Sequence, residues 1–275
     1  MRIILSRKGF DSSSGGHPSP VLPDGKMLSL PVPGDWETLT YSDIIEPGGK
    51  SYAEILADLD SGAKKEREAV HLDPDLAPGV RKRPPNWLPA FGQGMAAETH
   101  LENQGVSRGD LFLFFGWFRH TEEVGGSLRF HGDGNGFHAI FGYLQIGNVI
   151  RASGDAQLPI WLNDHSHAYA AARKRSNNTI YVAAPKLGFH PSCPGAGVFR
   201  FDNRKMLTKH GEIKSRWNLD PKIFRHVKIS YHSENSWKDG YFQSAGRGQE
   251  FVIHADEKVI EWASSLIRDA NLWQH

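Results

Sequence analysis

Two apolar runs constrain this chain more than any other feature. Leu111-Phe112-Leu113-Phe114-Phe115-Gly116-Trp117-Phe118 is aromatic throughout and follows the turn pair Gly109-Asp110. After a glycine-rich stretch, His138-Ala139-Ile140-Phe141-Gly142-Tyr143-Leu144-Gln145-Ile146-Gly147 repeats the pattern. Neither run is broken by polar residues at helical spacing, so both read as central strands. Residues 2–5, Thr179 to Ala184, Gly197 to Phe201 and Val227 to Tyr231 are further strand candidates. No regular helix separates each successive pair. That spacing disfavours a doubly wound parallel sheet. It predicts an α+β fold: a curved, mixed, largely antiparallel sheet or small barrel flanked by a few helices.

The helices are few and marked. Ser51 and Glu54 have capping-box spacing ahead of Ile55, Leu56 and Leu59. A second helix is expected over Ala96 to Gln104. A third closes the chain, with Asp256 as N-cap and Val259, Ile260, Ala263, Leu266 and Ile267 as its apolar face. Proline and glycine density excludes long helices from about 6–34 and 62–95, which are expected to be ordered loops of a single compact domain spanning 1–275. Within the second, Arg81-Lys82-Arg83-Pro84-Pro85 is a candidate docking strip.

Composition narrows function by exclusion. Among 275 residues, Lys and Arg total 32 against 31 Asp and Glu, a net charge of +1. A sequence-independent nucleic-acid binder would carry a clear basic excess. Cys193 is the single cysteine, so an intrachain disulfide and a thiolate-rich zinc site are both excluded. The apolar start Ile3-Ile4-Leu5 is too short for a signal peptide, and no run approaches a membrane span. A cytoplasmic protein with no membrane partner is expected.

Several polar groups are candidates for a site. Ser6, Arg7 and Lys8 precede Gly15-Gly16, where backbone amides could approach an anion such as a phosphate; the plain alternative is a solvated turn-rich loop. The spacing of a Walker A loop is missing. Asp11 and Glu250 stand in glycine-flanked polar motifs and are candidate general bases. Arg247 and Gln249 beside Glu250 are candidate ligand contacts, or equally a structural ion pair holding the last helix. His165 and His167, two apart, would share one face of a strand. They are candidate catalytic groups or, with His100, His138 or Asp11 as third ligand, candidate ligands of a divalent metal. A hydrogen-bonded pair of histidines is the alternative. Trp117 at a strand end could stack on a base, Arg119 could reach a base edge or phosphate, and Gln93, Asn103 and Gln104 offer paired donors and acceptors. Phe112, Phe114, Trp117 and Phe118 are expected mostly in the core, the plain alternative for Trp117. Such a polar, aromatic-lined set suits a nucleobase or nucleotide.

Four stretches resemble the nucleotide modification associated domain 3 family: Ser6 to Asp11 with Gly15 to Pro20, His100 to Val106 leading into Gly109 to Arg119, Ile140 to Gly147, and Gly240 to Ser244 with Gly246 to Phe251. The likeness runs essentially end to end. It implies a component, enzymatic in the favoured reading, of a nucleic-acid or nucleotide base modification system, with other proteins of that system as partners. The family pattern has His-Pro-His where this chain has His165-Ser166-His167, so no rigid kink is implied there. Gly109-Asp110 and Gly147-Asn148-Val149 are also similar to PUA-like folds. That weaker likeness implies the rival function, a non-catalytic module recognising a modified base.

Overall fold

The computed structural model describes residues 1–60, 67–132, 134–246, 250–268 and 272. In chain order the elements are β1 (Arg2–Arg7), β2 (Ser19–Val21), β3 (Val32–Pro33), α1 (Tyr52–Leu59), β4 (Val70–His71), β5 (Ala90–Gly94), α2 (Met95–Asn103) and β6 (Leu111–Val124). There follow β7 (Ser127–Phe130), β8 (Phe137–Arg151), α3 (Ala170–Arg173), β9 (Asn178–Ala183), β10 (Ala196–Val198), β11 (Arg216–Trp217) and α4 (Pro221–Phe224). The last four are β12 (Trp237–Lys238), β13 (Tyr241–Gln243), β14 (Glu250–His254) and α5 (Glu257–Arg268).

The main sheet runs β14-β1-β6-β8-β9-β5, with β2 and β7 also on β6 and β10 on β8. Only the β1–β6 and β2–β6 ladders are parallel; the others are antiparallel. Both faces are covered, which is why the two long apolar runs alternate so little. Phe112, Phe114 and Phe118 pack with Ile4, Tyr41 and Leu56 under α1. Leu111, Leu113 and Phe115 pack with Ile3, Trp217, Leu266 and Ile267 under α5. A register shift opposite Phe114 and Phe115 bends β8 against β6. The sheet therefore curls, and α2 packs against β5, β9 and β14 across the opening. No ladder joins the two path ends into a closed barrel among the described residues.

The local signals behave as their chemistry requires. Ser51 accepts from the Glu54 backbone N–H and Glu54 reaches back to Ser51, so α1 starts with both halves of its capping box. Asp256 caps α5 through a 3.1 Å hydrogen bond from the Val259 amide. Two expectations are corrected. Val227 to Tyr231 forms no strand: a single bridge joins Ile229 to Ile253, and Tyr231, at φ +64°, turns the chain away. Arg81 and Arg83 are not available as a docking strip. Both guanidiniums face the buried Asp75 carboxylate, Arg83 through two 2.6 Å bonds, and Arg83 also donates to the Ala77 carbonyl. No helix among the described residues is long and apolar enough to cross a membrane.

Glu98 on α2 is fully buried and ties that helix to β9. It accepts the Tyr181 hydroxyl at 2.9 and 3.1 Å and the Arg151 guanidinium at 3.0 Å. Burial pushes its carboxyl up to about 7, against the pull of Thr179, Tyr181 and Arg151. The folded state therefore holds this proton more tightly than the unfolded chain. Its contribution to stability is present below the ordinary carboxylate value near 4.5 and is lost as pH rises to about 7. Glu98→Gln should flatten the stability profile between those limits by on the order of 2 kcal/mol, as read by urea unfolding across pH. An unchanged slope would assign the shift elsewhere.

Candidate functional site

The curl of the sheet delivers three distant polar groups to one end of it. Lys8 follows directly from β1, Gln93 lies on β5, and Glu250 begins β14 opposite Ser6. The Lys8 ammonium lies 2.9 Å from Glu250 Oε1, and Gln93 Nε2 donates to the same oxygen at 2.6 Å. Lys8 also sits 4.6 Å above the Phe91 ring, which seals it from below. Glu250 Oε2 is buried and has no hydrogen-bond partner among the described residues. A buried carboxylate oxygen left bare is uncommon in a purely structural ion pair.

Beside this pair lies a cluster around Asp73, three residues past Val70 of β4. Asp73 Oδ1 accepts the Gly92 amide at 2.7 Å. Its Oδ2 is 4.0 Å from His71 Nε2 and 3.9 Å from His167 Nε2. The far nitrogens of both rings are anchored. His71 Nδ1 is 2.6 Å from Glu37 Oε1, and His167 Nδ1 is 2.5 Å from Asn178 Oδ1. Carboxylate and amide oxygens only accept, so each Nδ1 carries a proton, and in the neutral form of either ring Nε2 presents a lone pair. His165 has the opposite tautomer: its Nδ1 accepts the His167 amide at 3.2 Å, leaving Nε2–H directed at Asp73 Oδ1, 3.7 Å away.

Burial dominates the electrostatics. It raises the Asp73 carboxyl to about 6, opposed by the nearby charges of His71 and Lys8. It lowers His165 to about 4 and His167 well below the ordinary histidine value, reinforced for His167 by His71 and His165. Both imidazoles are thus neutral at pH 7. Gly92 is required by geometry: a Cβ there would lie 2.2 Å from His167 Cδ2.

Lys8, His71, Asp73, Gln93 and His167 line a cleft of about 570 Å³ with Arg7, Asp11, Trp36 and Arg175, and Glu250 lies behind Lys8 and Gln93. A larger hollow of about 1090 Å³ shares Arg7, Asp11, Ser13 and Gly246 with it. Its walls carry Trp117, Arg119, Lys209 and Lys214, a mostly cationic set. Arg7, at the seam, donates to the Ala245 and Gly246 carbonyls at 2.9 and 3.3 Å. Burial lowers its pKa, only partly offset by Asp11.

The structure brings together Arg7, Lys8, Asp11, Gln93, His167 and Glu250, with Ser6 buried behind them. Trp117 and Arg119 belong to the adjoining hollow, where the Lys214 ammonium already covers the indole at 3.7 Å. Others lie apart. His165 and His167 are not on a strand: His165 caps the 3₁₀ turn Ser166–Ala168 and His167 lies within it, so their rings address different oxygens of Asp73. His100 bonds Ser230 at 3.0 Å and packs on Tyr231, away from that turn. His138 lines the larger hollow and accepts from the Trp217 indole. Asn103 and Gln104 end α2 and line neither cavity, Gln104 meeting His254. Gly15 and Gly16 serve the turn, the Gly16 amide donating to the Asp11 carbonyl. Asp11 Oδ1 takes three bonds from Ser13 and Ser14, and these outweigh burial to hold its pKa down, which makes it a weak base. Arg247 and Gln249 lie outside the described residues.

Glu37, His71, Asp73 and Asn178 are new to the site. One signal pointed to them: His71-x-Asp73 repeats the two-residue spacing of His165-x-His167 on an extended segment.

The nucleotide modification associated domain 3 model matches residues 2–254, most of the chain and all of both cavities' described walls. The chain belongs to that family. The name of the nucleotide modification associated domain 3 family ties it to nucleotide modification systems. Neither the curated proteins nor the solved structures include a match to this member.

Gly92→Ala should displace the His167 ring and destabilise the fold by about 1–3 kcal/mol, the usual range for overpacking. Histidine ring resonances in NMR spectra would report the displacement. An unperturbed His167 in this variant would refute the close contact.

Proposed function

We propose that this chain is a nucleotide- or nucleobase-modifying enzyme whose two joined hollows divide the substrate between them. The phosphate-bearing part occupies the larger hollow against Arg119, Lys209 and Lys214, with Arg7 at the seam. The reacting part enters the smaller cleft, where Trp36 offers an aromatic wall and Gln93 a polar edge. Glu250 is the proton-transfer group, with Lys8 holding its charge and Asp73 as a second carboxyl of altered affinity for protons. Asp11 supports the loop between the hollows.

What carries this reading is the set of ionisable groups lining the smaller cleft, with Glu250 directly behind Lys8 and Gln93 and its Oε2 unpartnered among the described residues. A module that only recognises a modified base needs neutral polar groups and has no use for a desolvated acid. The cationic hollow next door supplies phosphate affinity without a basic excess over the whole chain.

The test compares the chain with Glu250→Gln and Lys214→Ala in its native host. Mass spectrometry reads the modified nucleosides in DNA, RNA and the nucleotide pool, while calorimetry reads affinity for each deoxynucleoside monophosphate. Glu250→Gln should lower the modified nucleoside by about 10²–10⁴-fold in rate and keep most of the nucleotide affinity. Lys214→Ala should chiefly weaken nucleotide binding. Unchanged nucleoside content in Glu250→Gln would overturn the enzymatic reading and leave a binding module.

A further inference from the structure

Three potential ligand atoms face one another at Asp73. His71 and His167 each hold a proton at Nδ1, so the neutral form of either ring presents its Nε2 lone pair here, and Asp73 Oδ2 is a carboxylate oxygen. Their separations of 4.0 and 3.9 Å are too long for hydrogen bonds. All three ligand atoms lie within 4.8 Å of one another. We propose that His71, Asp73 and His167 bind one divalent first-row transition-metal ion, in a site that stands whether or not the enzymatic reading above is correct.

Several independent features fit such an ion. Bond lengths of about 2.0–2.2 Å to imidazole and carboxylate place it between these atoms after a small inward approach. Each candidate histidine donates its other ring N–H to an oxygen, Glu37 for His71 and Asn178 for His167, the arrangement that orients metal-bound imidazoles. Asp73 Oδ1 is fixed by the Gly92 amide, which frees Oδ2 for the ion. His165, 5% exposed, sets its Nε2 3.7 Å from that same Oδ1. It is a positioning residue, since its protonated nitrogen cannot ligate. Asp11, Asp35, Glu37, Asp73 and Glu250 outnumber Arg7, Lys8 and Arg175 around the cleft, which favours a dication. Two imidazoles and one carboxylate suit Zn²⁺, Fe²⁺ or Mn²⁺, whereas Mg²⁺ and Ca²⁺ seek oxygen ligands. Three protein ligands leave positions open toward the cleft, where water or a substrate oxygen could join.

The experiment uses the full chain after dialysis against a chelator. Calorimetry with Zn²⁺, Mn²⁺ and, without oxygen, Fe²⁺ gives stoichiometry and affinity, and elemental analysis reads the ion retained. One equivalent is expected. His71→Gln should weaken binding by at least about 100-fold, and Glu37→Gln by about 10–100-fold, the usual effect of losing an orienting partner. Both residues border the cleft, so circular dichroism should show a folded protein, and Glu37→Gln retains its shape should His71→Gln not fold. A Co²⁺ complex should show ligand-field bands altered in both variants. No stoichiometric ion, equal affinity in Glu37→Gln, or binding of Mg²⁺ as tight as Zn²⁺ would overturn the proposal. Failure of the full, unsubstituted chain to bind metal, with its nucleoside modification intact, would sink this inference alone. Metal bound normally by Glu250→Gln with nucleoside content unchanged would sink only the proposed function.

Discussion

The contact between Lys8, Gln93 and Glu250 is the point on which the rest of the structure turns. It joins residues 242 and 157 positions apart and draws together the two path ends of a sheet that no ladder closes among the described residues. Its strength comes from low polarity around it: Phe91 lies beneath the ammonium, and the carboxylate is almost wholly withdrawn from water. A charge so placed is costly alone and stable only when paired. The pair therefore both requires the curl and holds it, and the cleft opens in front of Lys8 and Gln93, which cover Glu250.

Coverage of both sheet faces gives this arrangement its rigidity. Apolar side chains alternate between the α1 side and the α5 side along β6, so the strand that leads to Trp117 and Arg119 is clamped above and below. The loops around the cleft are pinned in a different way, by short-range polar bonds. Asp11 organises its own turn, Asp75 gathers Arg81 and Arg83, and Gly92 anchors Asp73. Rigid walls with polar, loop-borne groups at the rim are what preorganised binding asks for.

The strand and helix content was legible because it depends on local pattern. The runs at Leu111 and His138 became β6 and β8, and the Ser51–Glu54 spacing became a capping box. Parts of the site were legible too: Lys8, Gln93, His167 and Glu250 stand together. The failures have local physical reasons. His165 and His167 were expected to share a strand face, but a 3₁₀ turn sends them to opposite oxygens of Asp73. Gly15-Gly16 suggested an anion cradle, yet the Gly16 amide is consumed by the turn it makes possible. The charged, proline-rich stretch after α1 looked like surface and instead contributes His71 and Asp73.

By itself the sequence determined a mixed, largely antiparallel sheet with few helices, the exclusion of an intrachain disulfide and of a thiolate-rich zinc site, and a resemblance to its family, because each is a property of neighbouring residues or of composition. Only the tertiary structure decided that Glu37, His71, Asp73 and Asn178 meet His167, or that Arg7 stands between two cavities. Those meetings depend on how far the sheet curls and on which ring nitrogen each partner protonates, and neither is encoded in spacing along the chain.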